Sequence, residues 1–202
     1  MRLDSGQVVH SHMRMTGSWH VYSTGERWRK PASQARLTLT AGDRVAVCFN
    51  APVVELLQSR AEALHPALTA LGPDILDQPL DVDEIRRRAR TTRPPHTALA
   101  DLLLDQQVAA GIGNIWRCEA LFVERHSPWT PVADLTDGQL DDLYQTAARL
   151  MHAQLHVARP DYRHWVYNRA GRPCRRCGAL VQAKRHGDLA RTAYWCPTCQ
   201  PA

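Results

Sequence analysis

The sequence contains very little lysine. Of its 25 lysine and arginine residues, only Lys30 and Lys184 are lysines, which leaves 23 arginines. Arginine carries a planar, permanently charged guanidinium that binds phosphate and carboxylate groups through paired hydrogen bonds. The chain is therefore rich in groups that bind anions and poor in primary amines that could serve in imine chemistry.

Long apolar stretches are also missing. No run approaches the roughly 18 uncharged apolar residues that a membrane-spanning helix needs. Residues 1–6 are too polar to form the apolar core of a signal peptide. These absences exclude the membrane and secreted classes and predict a cytoplasmic protein.

The charge is concentrated near one end of the chain. The 202 residues have a formal net charge of +5, and 44% of them are hydrophobic, as in a folded globular protein. Residues 159–202 hold nine basic and two acidic residues, a balance of +7, so residues 1–158 total −2. A basic module on a mildly acidic body is typical of nucleic-acid binding, although a solvated arginine-rich face gives the same composition.

The spacing of the cysteines points to a metal. Four of the six form two Cys-x-x-Cys pairs separated by 18 residues, a pattern that predicts a four-thiolate structural zinc site. Disulfides or a redox pair are the alternatives, but the chain shows no signal peptide and has two matched pairs. We interpret Cys48 and Cys118 as small buried hydrophobic residues. The predicted zinc ligands are Cys174, Cys177, Cys196 and Cys199.

The segment between the two cysteine pairs is predicted to form a β-hairpin, with strands at 180–184 and 192–195 around a turn at 185–188. Because four cysteines close the coordination sphere, the zinc would build structure and activate no water. Arg191 precedes the returning strand. It is either an anion-binding side chain presented by the hairpin or an ordinary surface arginine.

The remaining chain changes from β to α. Residues 1–56 show alternating or β-rich runs, which predict strands at 7–12, 18–22, 35–40 and 44–49. Further on, the pattern predicts helices at 83–90, at 98–109 with Thr97 as its cap, and after a capping box of Thr136 and Gln139.

These patterns predict an α+β fold: a partial N-terminal β-sandwich, a helical domain and a four-cysteine β-hairpin zinc finger. The expected divisions are a β domain over 1–56, a linker over 57–82, a helical domain over 83–168 and a zinc finger over 169–202.

The Gly-Ile-Gly-Asn segment at 111–114 is the least generic local feature. It predicts two tight turns followed by a helix that begins at Asn114. Gly113 would allow close approach of a ligand to the free N–H groups of the helix N-terminus, as in an anion site. Asn114 either caps its own helix or donates its amide to a phosphate.

Four segments together resemble the formamidopyrimidine-DNA glycosylase and endonuclease VIII family, with features closer to the endonuclease VIII branch. Gly111–Ile115, followed by 119–122, is similar to the family's helix–two-turn–helix, and Arg191–Gln200 is similar to its zinc-finger hairpin. Ser11–Trp19 in the β part and Leu71–Asp74 at the domain junction also match. The resemblance extends over the whole chain.

The resemblance implies specific roles for these residues. Asn114 would hold a phosphate beside the lesion, with Gly113 allowing the close approach. Arg191 would bind the flanking phosphates and donate the proton in δ-elimination. Met15 would wedge into the duplex where the damaged base is flipped out, and Arg14 would face the orphaned base or the backbone.

The resemblance also implies a catalytic apparatus that the sequence does not contain. In the family, an N-terminal proline attacks C1′ of the damaged nucleoside, a glutamate beside it transfers protons, and a strand lysine assists. Here Arg2 and Leu3 stand at the second and third positions. We expect that the chain begins inside the family's first β domain. Either the true start lies upstream, which the strand-like beginning favours, or the chain is a DNA-binding remnant.

The expected function is that of a base-excision-repair DNA glycosylase with class I DNA-(apurinic or apyrimidinic site) lyase activity. The family acts on oxidised bases, here pyrimidines, in double-stranded DNA, and we expect a monomer with one structural zinc, bound to the nucleoid through DNA. The chain as written would be inactive. The alternative is a non-catalytic, zinc-dependent binder of damaged or abasic DNA. A zinc-ribbon interaction module without a DNA role leaves the Gly-Ile-Gly-Asn turn unexplained.

Overall fold

The contacts of the chain divide it into two compact units. The computed structural model describes residues 1–14, 16–58, 61, 65–155, 163–187 and 190–201. The first unit is Met1–Thr69 and the second is Ala70–Ala202. The division falls inside the stretch predicted as a linker, and the other predicted domain boundaries stay predictions.

The first unit contains two antiparallel sheets. In one, β1 (Gln7–His12) pairs with β5 (Val53–Gln58). In the other, β4 (Arg44–Phe49) lies between β2 (Ser18–Ser23) and β3 (Ala35–Ala41). The four predicted strands are confirmed, and β5 is an additional strand that reaches into the predicted linker.

The three-stranded sheet has an aromatic core. Val47 and Phe49 are fully buried on one face of β4, two residues apart as the strand period requires. Tyr22 packs with them, and its ring stacks on Trp28 with 6.3 Å between centroids. Cys48 is also fully buried, which confirms its interpretation as a core residue.

The first residues of the chain pair with β1. Met1 and Val9 exchange hydrogen bonds of 2.8 and 2.9 Å, and Arg2 forms a bridge with Val8. The segment therefore runs antiparallel to β1. A short 3-10 turn at Ala32–Gln34 leads into β3, and a four-residue helix α1 (Pro66–Thr69) closes the unit.

The helices of the second unit surround one apolar core. They are α2 (Val82–Thr91), α3 (Leu99–Leu102), α4 (Asn114–Val123) and α5 (Asp137–His152). A 3-10 turn at Val132–Asp134 precedes α5. Side chains from every helix meet in this core, which includes Ile85, Leu99, Leu102, Leu121, Leu140 and Leu143.

Two helix starts follow the capping chemistry of the sequence. Thr136 accepts a hydrogen bond from the Gln139 N–H, and the Gln139 side chain accepts one from the Thr136 N–H. This confirms the predicted capping box. Asp81 caps α2 in the same way by accepting from the Glu84 N–H.

The predicted helix over 98–109 is wrong in length and in its cap. Helix α3 ends at Leu102, and Ala98 rather than Thr97 occupies its cap position, without a side-chain hydrogen bond. The chain then continues in turns because the Asp105 carboxylate accepts the Gln107 N–H at 3.0 Å, an alternative to the helical bond. The segment between α3 and α4 is therefore longer than the two turns predicted.

The C-terminal strands form the predicted hairpin, with β6 (Gln182–His186) antiparallel to β7 (Arg191–Trp195). The first strand is displaced from the predicted 180–184 and extends into the predicted turn, because Arg185 and His186 still pair with Thr192 and Arg191. Together with the sheets and helices before it, the hairpin confirms the α+β fold class. No helix in the described part of the chain is both long and apolar enough to cross a membrane.

Gly72 provides a test of the packing at the start of the second unit. Its N–H donates to the Gln106 carbonyl at 2.8 Å, and a Cβ on it would overlap the carbonyl oxygen of Val108. We expect Gly72→Ala to lower the free energy of unfolding by about 3 kcal/mol, since backbone must shift to remove the clash. Urea denaturation measures this change.

Gly138 is the matched control. It lies in helix α5, and no atom lies within 4 Å of the position that a Cβ would occupy, so Gly138→Ala should raise the stability by about 0.5–1 kcal/mol. Equal effects of the two substitutions would contradict the close approach at Gly72.

Candidate functional site

Two loops bring the four C-terminal cysteines together. The Sγ atoms of Cys174 and Cys199 are 4.0 Å apart, those of Cys177 and Cys196 are 3.5 Å apart, and all four lie within 4.8 Å of one another. Tetrahedral zinc with Zn–S bonds of about 2.3 Å separates its sulfur ligands by about 3.8 Å. The cluster could therefore hold a metal ion, and its geometry is compatible with zinc.

Local contacts shift the pKa values of three of these thiols. A hydrogen bond from the Ala179 N–H lowers the pKa of Cys177 to about 7, whereas burial raises the pKa of Cys196 and raises that of Cys199 to about 12. A bound divalent ion would displace the protons of Cys196 and Cys199. Its affinity should therefore rise with pH.

Helix α4 is hydrogen-bonded to the hairpin along one face. The Asn114 Nδ2 donates to the Thr192 carbonyl oxygen at 3.0 Å. One turn later, the Cys118 Sγ accepts a hydrogen bond of 3.5 Å from the Tyr194 N–H. Residues four apart on a helix share a face, and residues two apart on a strand share a side, so the two elements lie side by side.

A third contact continues this face. The Arg176 guanidinium lies over the Phe122 ring, 4.2 Å from its centroid, and donates to the Phe122 carbonyl at 3.2 Å. Trp165 stacks on the other side of the same region, with 5.5 Å between its ring and that of Phe122. The first cysteine loop is therefore attached to the helix by a cation–π contact and a hydrogen bond.

Arg117 determines the orientation of the Asn114 amide. Its side chain is fully buried; one guanidinium nitrogen donates to the Ala100 carbonyl at 3.2 Å and another to Asn114 Oδ1. Since the guanidinium can only donate, the oxygen of the amide must face Arg117 and the nitrogen must face Thr192. No carboxylate in the described part of the chain forms an ion pair with Arg117.

Glu119 attaches the segment before the finger to the helix. This fully buried carboxylate accepts three backbone hydrogen bonds of 2.8 to 3.1 Å, from the N–H groups of Trp165, Val166 and Tyr167. These bonds satisfy the buried charge, which would otherwise be costly.

Gln200 makes a similar connection on the far side of the finger. Its oxygen accepts from the Cys196 N–H at 3.0 Å and its nitrogen donates to the His126 carbonyl at 2.9 Å. The second cysteine loop is thereby held to the end of helix α4.

The turn that leads into α4 is supported by Gln106. Its side-chain oxygen accepts from the Gly111 N–H at 2.8 Å, and its nitrogen donates to the Ile112 carbonyl at 3.1 Å. Gly111 has φ +105, a conformation that favours glycine. Gly113 occupies the cap position of α4 and is exposed, so the helix begins without a side-chain cap. Such a helix N-terminus is available to an anion.

The other side of the hairpin contacts the helical region through the Trp129 ring and through a histidine–aspartate pair. Trp129 packs edge-on against Trp195 at 5.1 Å between centroids, and the Lys184 ammonium lies 5.2 Å from the Trp129 ring centre. His186 Nε2 lies 2.9 Å from the Asp101 carboxylate on helix α3. The hairpin therefore contacts the helical core through both of its strands.

Comparison with known proteins agrees with this architecture. A model of the formamidopyrimidine-DNA glycosylase H2TH domain matches residues 71–162. The probable endonuclease 8 2 of Streptomyces coelicolor is 40% identical over 210 residues, which cover 98% of this chain and 74% of that protein.

The chain belongs to the formamidopyrimidine-DNA glycosylase and endonuclease VIII family.

A further relative agrees with this assignment, and a solved structure agrees with the fold. The DNA-(apurinic or apyrimidinic site) lyase Nei2 of Mycolicibacterium smegmatis is 34% identical over 200 residues, covering 96% of this chain and 75% of that protein. A complex of Lactococcus lactis Fpg with DNA containing an abasic site has a TM-score of 0.79 at 21% identity, covering 97% of this chain and 76% of that chain. The second likeness concerns the fold. The family resemblance inferred from the motifs is confirmed.

Within the family fold, the structure brings some of the predicted site residues together. Gly113 and Asn114 begin α4, and the Asn114 amide reaches the hairpin at the residue that follows Arg191. Arg14 belongs to the first unit, where it is exposed in a turn with φ +45. Met15 lies outside the described residues.

The structure excludes one of the two alternatives for Asn114. Asn114 is not the cap of its own helix, because Gly113 occupies the cap position and the Asn114 side chain bonds to Thr192 and Arg117. Cys118 is buried as predicted, and its Sγ also accepts a hydrogen bond from the Tyr194 N–H.

Sequence reasoning missed four polar residues that shape this site. They are buried or half-buried side chains that brace backbone groups: Gln106, Arg117, Glu119 and Gln200. Only Arg117 and Glu119 could have been found from the sequence, because charged residues inside an otherwise apolar helix must find buried partners.

Proposed function

We propose that this protein acts in base-excision repair as a DNA glycosylase and AP lyase of its family. The substrate class is double-stranded DNA that contains an oxidised base, preferentially a pyrimidine, or the abasic site left by its removal. The names of the relatives support the reaction class, and the pyrimidine preference is what the resemblance to the endonuclease VIII branch implies. We further propose that the chain binds DNA as a monomer.

The observation that carries this proposal is the hydrogen bond between Asn114 Nδ2 and the Thr192 carbonyl. It connects the start of helix α4 to the hairpin residue next to Arg191. The amide has two N–H groups, and one of them bonds to Thr192. The second would donate to a DNA phosphate, which the uncapped N-terminus of α4 and the nearby arginine also attract.

Arg191 would act on the phosphates that flank the lesion. Its guanidinium stays charged, so it stabilises the negative charge of the phosphate that leaves during strand cleavage. By family resemblance, it would also supply the proton in δ-elimination. By the same resemblance, Met15 would wedge into the duplex where the damaged base is flipped out, and Arg14 would face the orphaned base or the backbone.

The four clustered cysteines would bind one structural zinc ion. The sulfur separations support this assignment, and zinc would supply the four bonds that hold two loops too small to form a core of their own. We also propose that residues 169–202 act as the zinc finger, 83–168 as the helical DNA-binding domain and 1–56 as part of the β domain, joined by 57–82.

The scarcity of amines favours a second candidate function for these 202 residues, that of a non-catalytic binder of damaged or abasic DNA. These 202 residues contain two lysines, Lys30 and Lys184. The Lys30 ammonium donates to Ser18 Oγ at 3.0 Å, and Lys184 lies over the Trp129 ring.

The first prediction concerns the affinity for DNA. We expect Asn114→Ala and Arg191→Ala each to weaken binding to a duplex with an abasic-site analogue by about 1–3 kcal/mol, because each loses a specific or charge-assisted hydrogen bond. Only Arg191→Ala should reduce the salt dependence of log Kd, by about one counterion, since the asparagine amide is neutral. Fluorescence anisotropy at several salt concentrations measures both quantities.

Arg87→Ala is the control for this experiment. Arg87 is an exposed arginine on α2 that pairs with Glu84, so its loss removes the same charge elsewhere. The placement of the site is wrong if Asn114→Ala and Arg191→Ala bind as tightly as the wild type while retaining its thermal stability.

The second prediction concerns zinc. Cys177→Ser and Cys199→Ser should each lose one equivalent of zinc and most of the affinity for DNA, because the hairpin that carries Arg191 depends on the cluster. Elemental analysis and the DNA-binding assay measure the two effects. Cys48→Ala removes a buried thiol outside the cluster and should keep the zinc. Equal zinc content in all three variants would show that the four-cysteine cluster does not bind the zinc.

The third prediction distinguishes the two candidate functions. Borohydride reduction in the presence of an abasic-site duplex should yield no covalent adduct with these 202 residues, because Lys30, Lys184 and the amine of Met1 are each held in another contact. Nei2 of Mycolicibacterium smegmatis, a lyase by name, is the positive control. An adduct that maps to Lys30, Lys184 or the terminal amine would instead show that a substitute nucleophile operates.

A further inference from the structure

A cluster of two histidines and one glutamate lies in the first unit, outside the functional site. His10 is on β1, Glu55 is on β5, and His65 immediately precedes α1. Their ligand atoms all lie within 4.8 Å of one another. Three separate chain segments therefore converge on one small volume.

The contacts centre on one carboxylate oxygen. Glu55 Oε2 is 2.8 Å from His10 Nδ1 and 3.2 Å from His65 Nε2. His10 and Glu55 are direct partners in the β1–β5 register, so both side chains point to the same face of the sheet. Hydrogen bonding from His10 is the main reason that the pKa of Glu55 is lowered, which keeps this carboxylate ionised.

We propose that His10, Glu55 and His65 form a second metal site, which binds a divalent ion of the zinc class. Two imidazoles and a carboxylate are the donor set that such borderline ions prefer. The site has no thiolate and is independent of the four cysteines.

The geometry fits this ion. Tetrahedral coordination with bonds of about 2.0–2.1 Å separates ligand atoms by about 3.3 Å, so His65 is already placed and His10 needs to move away from Glu55 by about 0.5 Å. Two imidazoles on one tetrahedral ion have ring centres about 5.2 Å apart, since each centre lies about 3.2 Å from the metal. The centres of the His10 and His65 rings are 5.3 Å apart.

The site is open to solvent on one side. The side chains of His10 and His65 are 19% and 21% exposed, and that of Glu55 is 43% exposed. An ion could enter from the carboxylate side, and water would complete the coordination, because three protein ligands leave the fourth position open. A bound ion would connect β1, β5 and the segment before α1.

Metal stoichiometry on the full chain tests the proposal. Equilibrium dialysis against zinc, followed by elemental analysis, should find two equivalents in the wild type and one in His65→Ala and in His10→Ala. His12→Ala is the matched control on the same strand and should keep two. One equivalent in the wild type, or two in every variant, would overturn the proposal.

Two further measurements cover variants that fail to fold. Glu55→Gln keeps the size of the side chain and a hydrogen-bond acceptor, but it should weaken the second zinc more than about 100-fold. In the wild type, zinc should shift the NMR signals of His10 Nδ1 and His65 Nε2, because these two nitrogens would coordinate the ion directly. Unchanged histidine signals at saturating zinc would rule out the proposed site. Loss of zinc from the cysteine variants alone would show that the zinc finger is the metal site that was measured, and it would also overturn the proposal.

Discussion

Helix α4 and strand β7 are bonded to each other at two successive helical turns, and the candidate site depends on this contact. The bonds are Asn114 to Thr192 and Tyr194 to Cys118. A β-strand rises by about 6.6 Å over two residues and a helix by about 6 Å over four, so matched contacts can repeat along both elements. The two hydrogen bonds fix the position of the hairpin relative to the helix, and on the hairpin side both use backbone groups.

This contact explains why polar residues are buried around the helix. Arg117 holds the oxygen of the Asn114 amide, and Glu119 holds the backbone that leads to the finger. Each charged group is taken out of water, which is costly unless its hydrogen bonds are made inside the protein. Because the bonds go to backbone groups and to one amide, the charges serve to position neighbouring segments.

The sequence could predict those features in which a few adjacent residues determine the outcome. The cysteine spacing, the hairpin between the pairs and the Thr136 capping box are of this kind, because turns and caps are local chemistry. The helix over 98–109 failed because the Asp105 side chain competes with the helical bond, a choice that periodicity does not show. Strand β5 was missed because its residues are mostly half-exposed and lack strict alternation.

The candidate site was predictable in its residue types but not in its connections. Family motifs pointed to Asn114 and Arg191, yet nothing in the spacing of residues 114 and 192 shows that one bonds to the other. Arg117 and Gln106 act through contacts that only the folded chain creates. Long-range pairs of this kind follow from packing, which single residues and local patterns do not specify.

The hairpin is attached at both of its ends, and this has a consequence for molecular recognition. His186 meets Asp101 near the turn, while the cysteine loops and Gln200 hold the base. The backbone of Arg191 lies between these two attachments, so it has little freedom to lose when a ligand arrives. This keeps the backbone's share of the entropy cost of association small.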